Sequence, residues 1–109
     1  MGADNPLGQQ VSLPQDYEPG LLHPLRRPDR KVFPEGTRGA DVWRIWDLVW
    51  RDRQGVPHRG VLDMRVPWNS PFMVESKSLK LYLWSCTHVA MDDVDAFLCL
   101  VRRDLERCL

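Results

Sequence analysis

The residues best suited to chemistry stand together in one short stretch, Val74 to Trp84, which reads V-E-S-K-S-L-K-L-Y-L-W. Apolar residues recur there at helical spacing, and Ser76 is a residue type that caps a helix start with its hydroxyl. The free amides of a first helical turn, together with the helix dipole, form a natural seat for an anion. Lys77 and Lys80 add positive charge to that seat, and Glu75 places a carboxylate at its mouth. The stretch therefore suits a ligand with hydrogen-bond donors at one end and phosphates at the other.

The same spacing allows a purely structural interpretation. Glu75 would then be a solvated acid, and Lys77 and Lys80 would form the ordinary polar face of a helix. Spacing alone favours this second interpretation.

Composition limits the classes of protein that fit. The 109 residues are enough for one small domain, and 15 basic residues balance 15 acidic ones. This balance argues against a nucleic-acid interface of the usual basic kind. The sequence has no membrane-length apolar run and no apolar core of a signal peptide near its start, so we expect a cytoplasmic protein without nucleic-acid or membrane partners. One local basic cluster lies among prolines and is interpreted as a solvated loop: Arg26, Arg27, Arg30 and Lys31.

Cysteines and histidines do not form a metal-binding pattern. Cys86, Cys99 and Cys108 give an odd count without ligand spacing, and we interpret them as buried or half-buried free thiols. The three histidines are scattered and pair with no cysteine, so no metal site is expected.

The chain divides into an arm and a compact part. Residues 1–40 hold six of the nine prolines, which excludes a long helix or a central strand there. This Pro-rich N-terminal arm carries apolar anchors that favour wrapping over a surface, and they are Leu21, Leu22, Leu25 and Phe33.

Residues 41–109 predict an α+β fold in which an antiparallel β-hairpin is followed by two helices. The first strand, about Val42 to Arg51, has apolar residues at both parities, so we expect both of its faces to be covered. The second strand, about Arg59 to Trp68, alternates and buries one face. The helices run from Ser76 to Cys86 and from a cap at Asp92 or Asp93 to Cys108. The hairpin leaves a free edge, which favours association with another chain.

The string E-S-K-S-L-K-L-Y-L from Glu75 to Leu83 resembles the signature of the NADPH-dependent 7-cyano-7-deazaguanine reductases, the QueF family of queuosine biosynthesis. Further segments resemble the first half of the long, two-module form of these enzymes: Leu7 to Gln9, Leu21 with Leu22, Gly39 to Trp43, the turn at Gly55 to Pro57, and Leu100 to Cys108.

The resemblance implies a tunnelling fold, with modules built strand-strand-helix-helix-strand-strand. Residues 41–109 would be a partial module whose closing strands are absent. The family reduces a nitrile to a primary amine with NADPH, through a thioimide on a cysteine that the second module carries. Substrate binding would fall to Val74, Glu75 and Ser76, and NADPH binding to Ser76 and Lys77. The partners implied are 7-cyano-7-deazaguanine, the C-terminal catalytic half in cis or in trans, and further copies in a homo-oligomer.

The sequence departs from the family pattern at the residues that would carry out the reaction. None of its cysteines stands in the proline- and glycine-flanked setting of the family's nucleophile, so no catalytic residue is assigned to this chain. We expect an N-terminal fragment or truncated reading frame of a reductase, inactive alone. Two alternatives remain open: a purine-binding module without chemistry, and an unrelated α+β interaction protein whose Trp-rich strand docks a partner.

Overall fold

A long β-hairpin forms the centre of the structure. The computed structural model describes residues 13–27 and 39–109. Its elements in chain order are β1 (Pro24–Arg26), β2 (Ala40–Asp52), β3 (Pro57–Pro67), β4 (Phe72–Val74), α1 (Ser76–Cys86), β5 (Ala90–Met91) and α2 (Val94–Cys108). The predicted α+β class, the hairpin and the two helices are confirmed.

The strands form two small sheets. The first has the order β3-β2-β5, in which β3 pairs antiparallel with β2, and β5 pairs in parallel with the end of β2. The second joins β1 to β4 in antiparallel register, with Pro24 opposite Val74. The three short strands were not predicted, because two or three residues carry no readable alternation.

Strand β2 does not have two apolar faces, as its sequence predicted, but changes face at a β-bulge. Ile45 and Leu48 pair with residues only two apart in β3, so Trp46 and Asp47 together oppose a single residue. Odd-numbered apolar residues such as Ile45 pack against the core before the bulge, and even-numbered ones such as Leu48 do so after it. Trp46 lies on the opposite face and is 71% exposed. One inserted residue therefore explains the apolar residues at both parities.

The two helices cover the core-facing side of the hairpin. Each helix is apolar at residues three or four apart, and these stripes meet the strands and each other. Asp93 caps α2, as predicted, by accepting from the Ala96 amide at 2.8 Å. The buried core contains Leu22, Leu48, Leu62, Val74, Leu79, Tyr82, Leu83, Cys86, Met91, Phe97, Val101 and Leu105.

The described part of the arm packs on the helices. A single 3-10 turn at Pro19–Leu21 contacts α1, and Leu22 is buried in the core. Beyond it, β1 continues along β4 and so brings the arm to the start of α1. The predicted anchor Phe33 and the motif Leu7 to Gln9 lie outside the described residues.

Arg27 is buried rather than solvated, so the interpretation of the basic cluster was wrong at this position. Its side chain is 5% exposed, and its Nη1 lies 2.5 Å from Asp41 Oδ2. This ion pair ties the end of β1 to the beginning of the hairpin. Arg26 is exposed on β1, whereas Arg30 and Lys31 lie outside the described residues.

Asp52 closes the hairpin turn. Its Oδ1 accepts from the amides of Gln54 and Val56, both at 2.9 Å, and its Oδ2 lies 2.8 Å from His58 Nε2. The hydrogen bond from His58 is the main reason that the pKa of Asp52 lies below its ordinary value. Gly55 has a φ of 81°, a conformation in the turn that favours glycine.

In the described residues, no helix is long and apolar enough to cross a membrane.

We expect acid to weaken this turn through Asp52. Because folding lowers the pKa of Asp52, its ionised carboxylate stabilises the fold above the ordinary aspartate pKa of about 4. That contribution is lost as the pH falls through the lower folded value. Asp52→Asn keeps an oxygen that can accept from the Gln54 and Val56 amides but removes the negative charge beside His58. The parent should therefore have the higher Tm near neutral pH, and the two Tm values should converge in strong acid.

Thermal unfolding followed by circular dichroism over an acid pH series measures this difference. The control is Asp16→Asn, which changes the same kind of group on the exposed surface of the arm. If Asp16→Asn gives the same pH dependence as Asp52→Asn, the assignment to the hairpin turn is wrong.

Candidate functional site

The candidate site lies where β4 ends and α1 begins. Glu75 stands between them in an extended conformation, with φ −72° and ψ 132°. Its Oε1 accepts from the Lys77 amide at 3.0 Å and its Oε2 from the Ser78 amide at 2.6 Å. Glu75 is therefore the N-cap of α1, and Ser76 is the first helical residue. The prediction that Ser76 is the cap was wrong, because pairing of Val74 with β1 keeps the chain extended up to Glu75.

Glu75 is also buried, with 2% of its surface exposed. The interpretation of this residue as a solvated acid was wrong. Its carboxylate occupies the anion seat that the sequence predicted, because it takes up the first-turn amides of Lys77 and Ser78. A phosphate cannot use those two amides while Glu75 holds them.

Hydrogen bonds from the arm also fix the main chain of Glu75. The Glu75 amide donates to the carbonyl of His23 at 2.9 Å. The Ser78 hydroxyl donates to the Glu75 carbonyl at 2.7 Å and accepts from the His23 amide at 3.0 Å. These bonds form a closed ring through His23, Glu75 and Ser78. Both the main chain and the carboxylate of Glu75 are therefore fixed in place.

Sequence reasoning missed Ser78 and His23. The signal for Ser78 was its place three residues after Glu75, because a serine hydroxyl can donate to the carbonyl three residues earlier. No local signal could have found His23, because its bonds join segments more than 50 residues apart.

The two lysines face a separate groove between α1 and the bulge of β2. This groove has a volume of about 300 Å³, and Lys77 and Lys80 line it together with Asp47 and Trp84. Ser76 is exposed beside them, while Glu75 does not line the groove. The structure therefore places the two lysines along this groove, while the Glu75 carboxylate is buried on the first-turn amides.

A second buried polar cluster joins the arm to both helices. Asp104 on α2 is 4% exposed and accepts from the hydroxyls of Tyr17 and Tyr82, the latter at 2.6 Å. Burial, followed by the hydrogen bond to Asp104, raises the pKa of Tyr17 and of Tyr82. Arg103 donates to Asp104 and to the hydroxyl of Tyr17. Both tyrosines are thus held as neutral donors to one carboxylate.

The thiols are unsuited to nucleophilic chemistry where they are buried. Cys86 has no exposed surface, and burial raises its pKa to about 11. Burial also raises the pKa of Cys108, while Cys99 is exposed on α2. A nucleophilic cysteine needs the opposite shift. Among the described residues, no group of three or more His, Cys, Asp or Glu side chains could hold a metal ion.

The fold and site define a small α+β domain that holds a buried carboxylate at a junction between a strand and a helix. A family model described as "Nitrile reductase, 7-cyano-7-deazaguanine-reductase N-term" matches residues 13–109. The chain belongs to this family. The resemblance found in the signature at Glu75 to Leu83 is confirmed.

Three curated relatives each carry the name NADPH-dependent 7-cyano-7-deazaguanine reductase. The protein from Chromobacterium violaceum is 38% identical over 109 residues, which cover 93% of this chain and 38% of the relative. The protein from Stenotrophomonas maltophilia K279a is 37% identical over 113 residues, with 96% and 41% covered. The protein from Bordetella pertussis is 38% identical over 105 residues, with 92% and 38% covered. The chain thus spans about two fifths of the length of these relatives.

Stability measurements can separate the capping roles of Glu75 and Ser76. Glu75→Ala leaves two first-turn amides without their acceptor, so we expect it to lower the free energy of unfolding by about 1 to 2 kcal/mol. Ser76→Ala removes an exposed hydroxyl and should change the free energy of unfolding by less than about 0.5 kcal/mol. Urea unfolding of both variants measures the difference, and a larger loss for Ser76→Ala would contradict the assignment of the cap.

Proposed function

We propose that this chain supplies the substrate and NADPH recognition part of a 7-cyano-7-deazaguanine reductase. The reaction reduces the nitrile to 7-aminomethyl-7-deazaguanine in queuosine biosynthesis, a tRNA modification pathway. Family membership and the shared name of the relatives support this proposal. The observation that carries it is the buried, pre-oriented carboxylate of Glu75.

The geometry of Glu75 suits a guanine-type edge. Such an edge presents an exocyclic amine and a ring N–H side by side, and a carboxylate can accept from both. Each oxygen of Glu75 accepts one main-chain amide and keeps a further lone pair for a ligand donor. The amides orient the carboxylate before the ligand arrives. Because Glu75 is 2% exposed, binding requires the residues around it to move apart.

The neighbouring residues would complete the two binding sites. Val74 and Ser76 flank Glu75 and would contact the deazaguanine through main-chain groups or the hydroxyl. Ser76 and Lys77 would contact NADPH, which supplies the hydride when it is bound. Since Glu75 holds the first-turn amides, the nucleotide phosphates would meet side chains here, with Lys77 as the cation.

We place the chemical step outside this chain. By resemblance, residues 1–40 form an arm and residues 41–109 part of a tunnelling-fold module, while the thioimide-forming cysteine lies in the part of the relatives that this chain does not match. The burial of Cys86 and its pKa of about 11 support this division. The partner would be that catalytic half, in cis or in trans, within a homo-oligomer.

The capping role of Glu75 favours a second candidate. If the carboxylate serves only α1, the chain is an inert fragment of the reductase, and the loss of Glu75 then changes ligand binding only through folding. A purine-binding module without chemistry would still use Glu75 and would differ from the reductase part in the absence of turnover.

The first test is turnover. We expect the 109-residue chain alone to oxidise no NADPH with 7-cyano-7-deazaguanine, because it lacks a thiolate that can attack the nitrile carbon. Activity should appear when the unmatched remainder of the Chromobacterium violaceum reductase is fused to it or mixed with it. NADPH absorbance measures the rate, with the remainder alone as control. Turnover by the isolated chain would contradict the proposal that the chemical step lies outside this chain.

The second test is substrate binding in that restored enzyme. Glu75→Ala leaves the exocyclic amine and ring N–H without an acceptor in a desolvated pocket, so we expect binding to weaken by roughly 2 to 4 kcal/mol. Isothermal titration calorimetry with 7-cyano-7-deazaguanine measures the Kd. Lys77→Ala should instead raise the Kd for NADPH and leave that for the deazaguanine near the parent value.

Asp93→Ala is the matched control, since it removes a side-chain cap from α2 away from the candidate site. It should lower the Tm but keep the deazaguanine Kd. Equal weakening of binding by Glu75→Ala and Asp93→Ala would mean that Glu75 acts only through folding, and the second candidate would then hold.

A further inference from the structure

The described part of the arm lies directly against Glu75. The His23 carbonyl accepts from the Glu75 amide at 2.9 Å, and the His23 amide donates to the Ser78 hydroxyl at 3.0 Å. Glu75 is 2% exposed, so a ligand can reach its carboxylate only when neighbouring residues move. The segment that moves must leave α1 folded, because α1 supplies the amides that orient the carboxylate.

Residues 13–23, which we call the strap, are attached to both helices. Hydrogen bonds join the strap to side chains on each helix, namely Ser78 and Ser85 on α1 and Asp104 on α2. The Tyr17 hydroxyl donates to the Oδ2 atom of Asp104. The Glu18 amide donates to the Oγ atom of Ser85 at 3.1 Å. These bonds fix the position of the strap on the helices.

Each of these helix side chains also has a second partner outside the strap. Asp104 Oδ2 accepts from the Tyr82 hydroxyl at 2.6 Å. The Ser85 hydroxyl donates to the Tyr82 carbonyl at 2.6 Å, and the Ser78 hydroxyl donates to the Glu75 carbonyl at 2.7 Å. A buried polar group is costly when it loses every partner. Because these three side chains keep one, the strap can leave them without a large penalty in the helices.

The strap also has an apolar anchor and a fixed end. Leu22 is buried and packs in the core, which favours the closed position. Beyond the strap, β1 pairs with β4, and the Arg27 amide donates to the Pro71 carbonyl at 2.9 Å. Opening would therefore move the strap about the paired strands, which hold its end near α1.

We propose that the strap is a gate over Glu75 and that the hydrogen bond from Tyr17 to Asp104 is its latch. The closed strap excludes a ligand, and the open strap admits the deazaguanine to a carboxylate that α1 still orients. Opening does not disturb that orientation, because the Lys77 and Ser78 amides stay on Glu75. The inference rests on the proposed function, since it names the step by which the substrate reaches Glu75.

Tyr17 makes the strap contact whose loss should weaken the closed position most. Its acceptor is a carboxylate, whereas the Glu18 and His23 amides donate to neutral serine hydroxyls. Hydrogen bonds to charged groups contribute more than those between neutral groups. Tyr17→Phe removes this bond and keeps the ring, whose centroid lies 6.5 Å from that of Tyr82. The variant therefore tests the latch with little change in packing.

Amide hydrogen exchange of the 109-residue chain, followed by NMR, measures the opening of the strap. The amides of Glu18, His23 and Glu75 are bonded across the strap, whereas the Leu79 amide is bonded to the Glu75 carbonyl at the start of α1. We expect the first three to have lower protection factors than the Leu79 amide, because the strap opens while the helix stays folded. Tyr17→Phe should lower these three protection factors by about tenfold and leave that of Leu79 near the parent value.

Tyr82→Phe is the matched control. It removes the same kind of hydroxyl from the same carboxylate, but from α1 rather than from the strap. Tyr82 is fully buried, so its effect should come through the stability of the whole fold. We expect it to change the protection of the strap amides by no more than it changes the protection of the Leu79 amide.

The rate of substrate association in the restored enzyme tests the gate itself. If the deazaguanine enters only through the open form, its association rate constant is proportional to the open population. Tyr17→Phe should therefore raise this rate constant by the same factor, about tenfold, by which it lowers the protection of the Glu75 amide. Stopped-flow tryptophan fluorescence with 7-cyano-7-deazaguanine measures the rate constant, and Tyr82→Phe should leave it near the parent value.

Three results would overturn the proposal. Equal protection of the Glu75 and Leu79 amides, in the parent and in Tyr17→Phe, would mean that the strap opens only when the helix unfolds. Equal loss of protection at the strap in Tyr17→Phe and Tyr82→Phe would contradict the latch. Faster exchange without faster association would contradict the gate. Failure of the proposed function is a different result, because Glu75→Ala would then leave the deazaguanine Kd unchanged while Tyr17→Phe still lowered the protection of the strap amides.

Discussion

The structure depends most on the seating of the Glu75 carboxylate on the first-turn amides of α1. This contact makes Glu75 the N-cap, so the helix begins directly after the strand that β1 holds extended. A buried carboxylate is costly unless it is hydrogen-bonded, and here two amides and the positive end of the helix dipole compensate for its burial. Through Ser78 the same contact reaches His23, so it also determines where the arm lies.

Polar contacts hold the described part of the arm at two points. His23 joins it to the start of α1, and Tyr17 joins it to Asp104 beside Tyr82. Leu22 is buried between these two points. Unsatisfied polar groups are expensive in a core, so such contacts specify one position of the arm where apolar packing alone would allow sliding. The arm therefore belongs to the residues that surround Glu75.

The proposed division between recognition and chemistry has a physical basis. Recognition of a planar, donor-rich edge needs one oriented acceptor, and a strand followed by a capped helix supplies it from consecutive residues. Nitrile attack needs a thiolate, which burial disfavours, and Cys86 is fully buried with its pKa raised to about 11. On the proposed division, this segment would bind the substrate and the reacting thiolate would lie elsewhere.

The sequence by itself determined the α+β class and the limits of the hairpin and both helices to within a few residues, and it singled out Glu75 as the central residue of the candidate site. These features depend on local periodicity, turn residues and a specific signature, which are readable without knowing what packs on what. Tertiary structure decided the bulge at Trp46, the choice of Glu75 over Ser76 as cap, and the burial of Arg27. Each depends on contacts between distant segments. Pairing with β3 produces the bulge in β2, and pairing with β1 holds Val74 extended. Asp41 at the start of the hairpin forms the ion pair that accompanies the burial of Arg27. Local propensity is similar for the alternatives in each case, so long-range contacts made the choice.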